Sequence, residues 1–368
     1  MENHPSFIKT LFMYPLYWIY SAGVHIRNRM FDYGIYRSKS FDIPIVSIGN
    51  ITVGGTGKTP HVEHLVAELR KEISLAVLSR GYKRKTSGYR IVSEKDTFLD
   101  VGDEPLQIKM KFPTVSVCVD ENRRRAIEKL SKEVSPVPDL IIMDDGFQHR
   151  KVKATFSVLL IDFNRQLHED KMLPIGRLRE HPHETRRANI IVITNTPEVI
   201  TPIERRLIIK NLNLYPYQQL FFTAVQYDQP HDLISRKPIE LDAFLASDTP
   251  EIVLFTGIAN PSQFKSYLLN NLSKNCISLD FPDHHAYTAK DLHKIRAQFE
   301  AISSPNKMLI TTEKDAVRLI NHPDIGILEG IPACYIPISI KFVEHEKKLT
   351  RQLLDYVRKN QRNSQLYK

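Results

Sequence analysis

Cysteine is scarce in this 368-residue chain, and Cys118, Cys276 and Cys334 stand far apart with no CxxC pair. That spacing argues against a disulfide framework or a zinc site. It fits a reducing compartment, with the three thiols expected to be buried packing residues. Glycine is sparse as well, 14 residues against 22 prolines, while 42% of the chain is hydrophobic and 25% charged. This is the balance of a packed globular protein, not of a fibrous or disordered one. There is no internal repeat, low-complexity tract, helix-turn-helix, zinc or RNP-type aromatic motif, so nucleic acid is not an expected partner. Nothing points to an obligate protein partner either.

What is there begins with length, which suits two domains at roughly 150 residues each. Lys plus Arg number 51 against 42 Asp plus Glu, a net charge of +9 that favours an anionic partner. The amino terminus carries an uncharged run from Thr10 to Val24, with three tyrosines and the chain's one tryptophan, Trp18, containing Pro15 and followed by Arg27, Arg29 and Arg37. A bilayer-spanning helix needs about 20 apolar residues. The run is shorter, so a helix lying in the membrane interface is the expected form, with a buried first helix as the alternative. A signal peptide is disfavoured, because Glu2 offsets Lys9 before the apolar run.

After about Ser40, short apolar runs alternate with helical patterns, as in a parallel α/β sheet. Strands are expected at residues 43–48, 75–78, 114–119, 140–143, 156–161 and 190–193, then at 252–255, 276–281, 308–310 and 335–340. A charged helix should follow from about Glu344. Val62, Leu65, Val66 and Leu69 make one apolar helix face opposite Glu63, His64 and Glu68. The polar stretch Tyr227 to Lys237 reads as an interdomain connection. The expected organisation is therefore an amphipathic membrane-associating helix at 1–35, a P-loop NTPase-like α/β/α domain at 36–228 and a smaller α/β domain at 229–368.

At the end of the first strand stands GNITVGGTGKTP, residues 49–60. Its glycines let backbone N–H groups turn toward phosphate oxygens, the helix start adds positive dipole, Lys58 reaches the terminal phosphates and Thr59 suits Mg²⁺. Gly54, Gly55, Thr56, Gly57, Lys58 and Thr59 are the expected nucleotide-binding residues. The standard GxxxxGK[ST] pattern wants glycine at position 52, where this chain has Thr52, so the loop is a GGxGKT variant. No NKxD guanine motif is present.

Phosphoryl transfer also needs Mg²⁺ ligands and a group that receives the acceptor's proton. The apolar strand ending in Asp144-Asp145-Gly146 has the shape of a Walker B metal site. Three further strings read equally well as ordinary loops: LPIGRLRE at 173–180, GDEP at 102–105, and Asp283-His284-His285, which also occurs as a metal motif in unrelated phosphoesterases.

Taken together and in order, these strings resemble the tetraacyldisaccharide 4'-kinase family of lipid A synthesis, over nearly the whole chain. Leu78-Ser-Arg-Gly-Tyr82, Asp144-Asp-Gly-Phe-Gln-His149 and Thr311-Thr-Glu-Lys-Asp315 add to the match. The resemblance implies two α/β/α domains with the active site in the cleft between them. It implies ATP and Mg²⁺, a lipid A disaccharide precursor phosphorylated on its 4'-hydroxyl, and work at an anionic membrane surface on the cytoplasmic face of the bacterial inner membrane. By position it makes Asp103 the base and His284 the residue that orients it, with Lys58 stabilising charge. The metal side falls to Thr59, Asp144, Asp145 and Glu180, and Arg80, Arg177 and Arg179 become candidates for neutralising phosphate. The basic run from Lys83 to Lys85 is a solvated surface or a contact for the substrate's existing phosphate. The competing expectation is a membrane-associated ATPase switch of the partition and septum-site type. Those proteins share GGxGKT but carry a signature lysine where this chain has Val53.

Overall fold

Apolar runs bounded by turns, each followed by an amphipathic stretch, fold into alternating strands and helices. The computed structural model describes residues 7–246, 250–344 and 346–366. The first six residues of the expected amino-terminal segment lie outside them. In chain order come α1 (Phe7–Asp32), β1 (Ile45–Gly49), α2 (Lys58–Leu69), β2 (Leu75–Ser79), β3 (Arg90–Ile91), α3 (Phe98–Val101), α4 (Asp103–Lys111) and β4 (Ser116–Val119). The middle of the chain holds α5 (Arg123–Glu133), β5 (Leu140–Asp144), β6 (Phe156–Asp162), β7 (Ile190–Thr194), α6 (Pro202–Leu212) and β8 (Gln219–Tyr227). Then follow β9 (His231–Asp232), α7 (Asp242–Leu245), β10 (Glu251–Thr256), α8 (Ser262–Asn271), β11 (Asn275–Asp280) and α9 (Ala289–Glu300). The chain closes with β12 (Lys307–Thr312), α10 (Glu313–Leu319), β13 (Ala333–Ile336), β14 (Ile338–Phe342) and α11 (Glu346–Leu366).

These elements pack as two units, and neither is a continuous stretch. One contains the chain up to Arg80, Asn122–Val225 and everything from Ile340 onward; the other contains Gly81–Glu121 and Gln226–Ser339. The segment 81–121, expected within a domain at 36–228, therefore belongs with the later half of the chain.

In the first unit six strands run parallel in the order β8-β7-β6-β1-β5-β2, with β14 beside β8. β1, β2, β5 and β7 are buried along their whole length, as strands covered on both faces must be, and they read as unbroken apolar runs for that reason. Chain order reverses at β1, which lies between β5 and β6. In open α/β sheets the carboxyl ends at such a reversal form the ligand-binding crevice. Helix α1 lays Tyr17, Tyr20 and Val24 against the core that contains Ile51, Leu178 and Ile208, and it leaves Leu16, Trp18, Ile19 and Ile26 in solvent.

The second unit has its own sheet, β11-β10-β12-β13 all parallel, with β9 antiparallel at the edge. Its order reverses at β10. The Tyr227–Lys237 stretch, expected as a connection, supplies that edge strand. The single strand expected at 335–340 is two, because Pro337 has no N–H to continue a ladder. Cys118 and Cys334 are buried as expected, whereas Cys276 on β11 is only half-buried. Glu63, placed by periodicity on the polar face of α2, is buried as well.

Candidate active site

The phosphate loop turns on Gly57, whose left-handed backbone (φ 75°) is costly for residues with a Cβ. It starts α2 with no side-chain cap, so the first N–H groups of the helix remain for an anion. Upstream, Thr52 sits where the standard motif has glycine, and it forms an antiparallel bridge with Leu178. Val53 N–H donates to Arg177 O at 2.8 Å, and Arg179 N–H donates to Ile51 O at 2.7 Å. An extended bridge has no need of a left-handed residue, so threonine is tolerated. The LPIGRLRE string is thus a strap on the phosphate loop. Asn50 Nδ2 donates to Thr56 Oγ1 at 2.8 Å and stiffens the same turn.

Two positions toward the end of β5 complete this cluster. Asp144 is buried and accepts from the Ser79 hydroxyl at 3.2 Å. Asp145 takes a left-handed backbone (φ 47°) and lies 3.6 Å from Lys58 Nζ and 3.3 Å from Arg179 Nη1. Burial pushes its pKa up, but the charges of Lys58 and Arg179 outweigh that and hold it below the ordinary carboxylate range. Thr59, Asp144 and Asp145 offer only oxygen donors, the set a hard cation such as Mg²⁺ prefers, and a Mg²⁺ carried with phosphates needs only one or two protein carboxylates. Among the described residues no three His, Cys, Asp or Glu side chains gather as an all-protein cage. Glu180 is almost fully buried, and both its oxygens already accept, from Asn28 at 3.2 Å and from Arg187. Arg177 and Arg80 are exposed, and Arg177 serves the loop through its carbonyl.

Sequence reasoning overlooked His61, one turn into α2. Its Nδ1 lies 2.7 Å from Gly57 O and its Nε2 3.0 Å from Thr223 Oγ1. Burial pushes its pKa down to about 4, so the ring is neutral near pH 7 and pins the glycine that shapes the loop.

The second cluster lies in the second unit. Gly102 (φ 93°) delivers Asp103 as the first residue of α4, not into a plain turn. Asp103 Oδ1 accepts Glu104 N–H at 2.9 Å, and Oδ2 lies 2.7 Å from His284 Nδ1. The same Oδ2 accepts Arg318 Nη2 at 2.7 Å and Nε at 3.1 Å. Burial raises the Asp103 pKa, but the His284 hydrogen bond and the charges of Lys314 and Arg318 hold it well below the usual range. The Asp103–His284 pair expected from the sequence is therefore in contact, and Arg318 was not foreseen. Lys314 Nζ reaches Glu104 Oε1 at 2.7 Å, tying α10 to α4. His285 bonds Asp291 Oδ2 at 3.1 Å and stacks on Phe281, so the second histidine of the DHH string is engaged in packing. Lys83 donates to Asp283 O at 3.1 Å and is otherwise on the surface.

These features can be set beside known proteins. A family model described as Tetraacyldisaccharide-1-P 4'-kinase matches residues 9–358. The tetraacyldisaccharide 4'-kinase of Phocaeicola vulgatus is 44% identical over 364 residues, covering 96% of each chain. That of Bacteroides thetaiotaomicron is 42% identical over 373 residues, covering 99% of this chain and 97% of its own. A crystal structure of LpxK from Aquifex aeolicus in complex with ATP is similar over 95% of this chain and 99% of its own, with a TM-score of 0.73 and 28% identity.

Proposed function

The chain belongs to the tetraacyldisaccharide-1-P 4'-kinase family, and from that premise we infer that it phosphorylates the 4'-hydroxyl of a tetraacyldisaccharide 1-phosphate, a lipid A precursor, using ATP. The observation that carries the nucleotide half is the uncapped start of α2 at left-handed Gly57, with Lys58 beside Asp145. Backbone N–H groups from Gly54 to Thr59 hold the phosphates, and Lys58 and Arg179 offset their charge. Thr59, Asp144 and Asp145 would hold Mg²⁺, which when bound would supply positive charge to the nucleotide phosphates. Glu180 contributes less directly, by bracing the strap through Asn28 and Arg187.

Asp103 receives the hydroxyl. The acceptor oxygen bonds to the γ-phosphorus, the bond to the β-phosphate oxygen breaks, ADP leaves, and the hydroxyl proton passes to the Asp103–His284 pair. A carboxylate held this far below its ordinary pKa is a weak proton acceptor. In a loose phosphoryl transfer that is tolerable, because orienting the hydroxyl matters more than early proton removal.

The enzyme works as a peripheral protein on the cytoplasmic face of the inner membrane. No helix among the described residues is long and apolar enough to cross a membrane. Trp18 (66% exposed) and Ile19 (71% exposed) are instead free to enter an interface, with Arg29 about three turns further along the helix for anionic headgroups.

The test is to incubate the purified protein with ATP, Mg²⁺ and the dephosphorylated lipid disaccharide and to look for phosphorylated lipid. ATP turnover indifferent to the lipid, with no transfer, overturns the kinase reading.

A further inference from the structure

We propose that Arg318 is the positioning residue that holds both members of the Asp103–His284 pair, one directly and the other through the Gly257 carbonyl. The inference rests on the reading of Asp103 as the base. Arg318 is among the largest fully buried side chains of the protein, at 1% exposure. Its Nε and Nη2 both donate to Asp103 Oδ2. Its Nη1 donates to Gly257 O at 2.7 Å and to Asp315 Oδ1 at 2.7 Å. Gly257 O is also the acceptor for the backbone N–H of His284, at 3.0 Å. His284 has a left-handed backbone (φ 58°), uncommon for a residue with a side chain, and that carbonyl is one of the contacts that hold it there.

Asp315 completes the frame. It is fully buried, and its Oδ1 also accepts Gly257 N–H at 3.0 Å and the Tyr287 hydroxyl at 2.9 Å. One planar cation thus fixes two carboxylates and a backbone carbonyl that come from α4, α10 and the end of β10. Lysine, with a single nitrogen, cannot make the fork to Asp103 while reaching Gly257 and Asp315. A buried arginine that merely neutralised Asp315 would spend one nitrogen there, and the Nε and Nη2 bonds to Asp103 would remain unexplained.

The charged and titratable groups facing Asp103 are Arg318 and Lys314 from α10, His284 from the loop after β11 and Glu104 from its own helix, with Asp315 and Tyr287 behind Arg318. Removing the guanidinium takes positive charge from the carboxylate, so its pKa rises and the acid limb of turnover moves to higher pH.

The experiment uses the full-length enzyme with ATP, Mg²⁺ and the dephosphorylated lipid disaccharide. Arg318→Gln is expected to lower kcat by about a hundredfold, the scale of a misplaced reacting group. Its KM for ATP should hold and its acid limb should move up. Arg318→Lys, which keeps the charge and loses the fork, should show the kcat loss with a smaller pH displacement, and it serves if the glutamine variant does not fold. Asp103→Asn combined with Arg318→Gln should be no slower than Asp103→Asn alone. Variants that melt earlier but keep kcat and the acid limb overturn the positioning role. If Asp103→Asn itself turns over normally, the base assignment fails instead, and the two failures are told apart.

Discussion

Asn28 of α1 donates its side-chain amide to Glu180 Oε1 at 3.2 Å, so the amino-terminal helix is fastened to the strap over the phosphate loop. The Tyr20 hydroxyl donates to Arg179 O at 3.1 Å, and Arg27, about two turns further along the same helix, donates to Gln148 O. The helix therefore has two faces with different tasks, one turned to solvent or lipid and one wired to the nucleotide cluster.

Replacing Trp18 and Ile19 together by serine should weaken binding to vesicles containing anionic lipid while sparing kcat on detergent-dispersed substrate. Asn28→Ala should do the reverse, since Glu180 loses a partner. Co-sedimentation and a detergent assay measured on both variants distinguish the faces, and parallel losses in both would contradict the division.

Lys58→Ala should cut turnover by at least about a hundredfold, the scale of losing one preorganised charge stabiliser. A steady-state assay at saturating lipid checks this. Asp145, relieved of one of its two neighbouring cations, should also become easier to protonate.

Asp103→Ala should cost a similar factor, as expected for loss of the group that receives the proton. The low pKa of Asp103 has a sign consequence for folding. Its share of stability is present above the unfolded value of about 3.9 and is lost as pH falls below it. Urea midpoints between pH 5 and pH 3 should drop less in Asp103→Asn than in the parent.

His61 works at higher pH. Its pKa is about 4 in the fold against about 6.5 unfolded, so between those values the unfolded chain binds the extra proton. Stability should fall with decreasing pH across that window by about 1.4 kcal/mol per pH unit from this residue. Denaturant titrations at pH 7, 6 and 5 should show the slope, and His61→Gln should flatten it.

His285→Ala should change turnover by less than about threefold, because the side chain packs on Phe281 and bonds Asp291. A loss comparable with that of Asp103→Ala would return the DHH string to the chemistry.

The parts legible in the sequence are those whose signal is local. GGxGKT between an apolar run and an amphipathic helix, and Asp144-Asp145 after another such run, carry their surroundings with them. His61 was hidden because a histidine on an amphipathic helix looks like any surface residue, and its burial depends on Thr223 from β8, far along the chain. Arg318 was not singled out, because in sequence an arginine on a short helix resembles charged exterior, although its spacing of three from Asp315 fits a pair. The allegiance of residues 81–121 is set by packing against α10 and its neighbours, and no local pattern announces it. Thr52 defeats the motif as text, and only the bridge to Leu178 explains why the loop survives.

The second unit is assembled from Gly81–Glu121 and Gln226–Ser339, and this orders events on the ribosome. Asp103 emerges long before His284 and Arg318, from which it is separated by 181 and 215 residues. Until that later chain is made, α4 can pack on β4 of its own segment but has no α10 to pack against. The nascent protein must keep α4 without that partner until α10 is made, so slowed translation between Asn122 and Val225 lengthens the interval in which aggregation can occur.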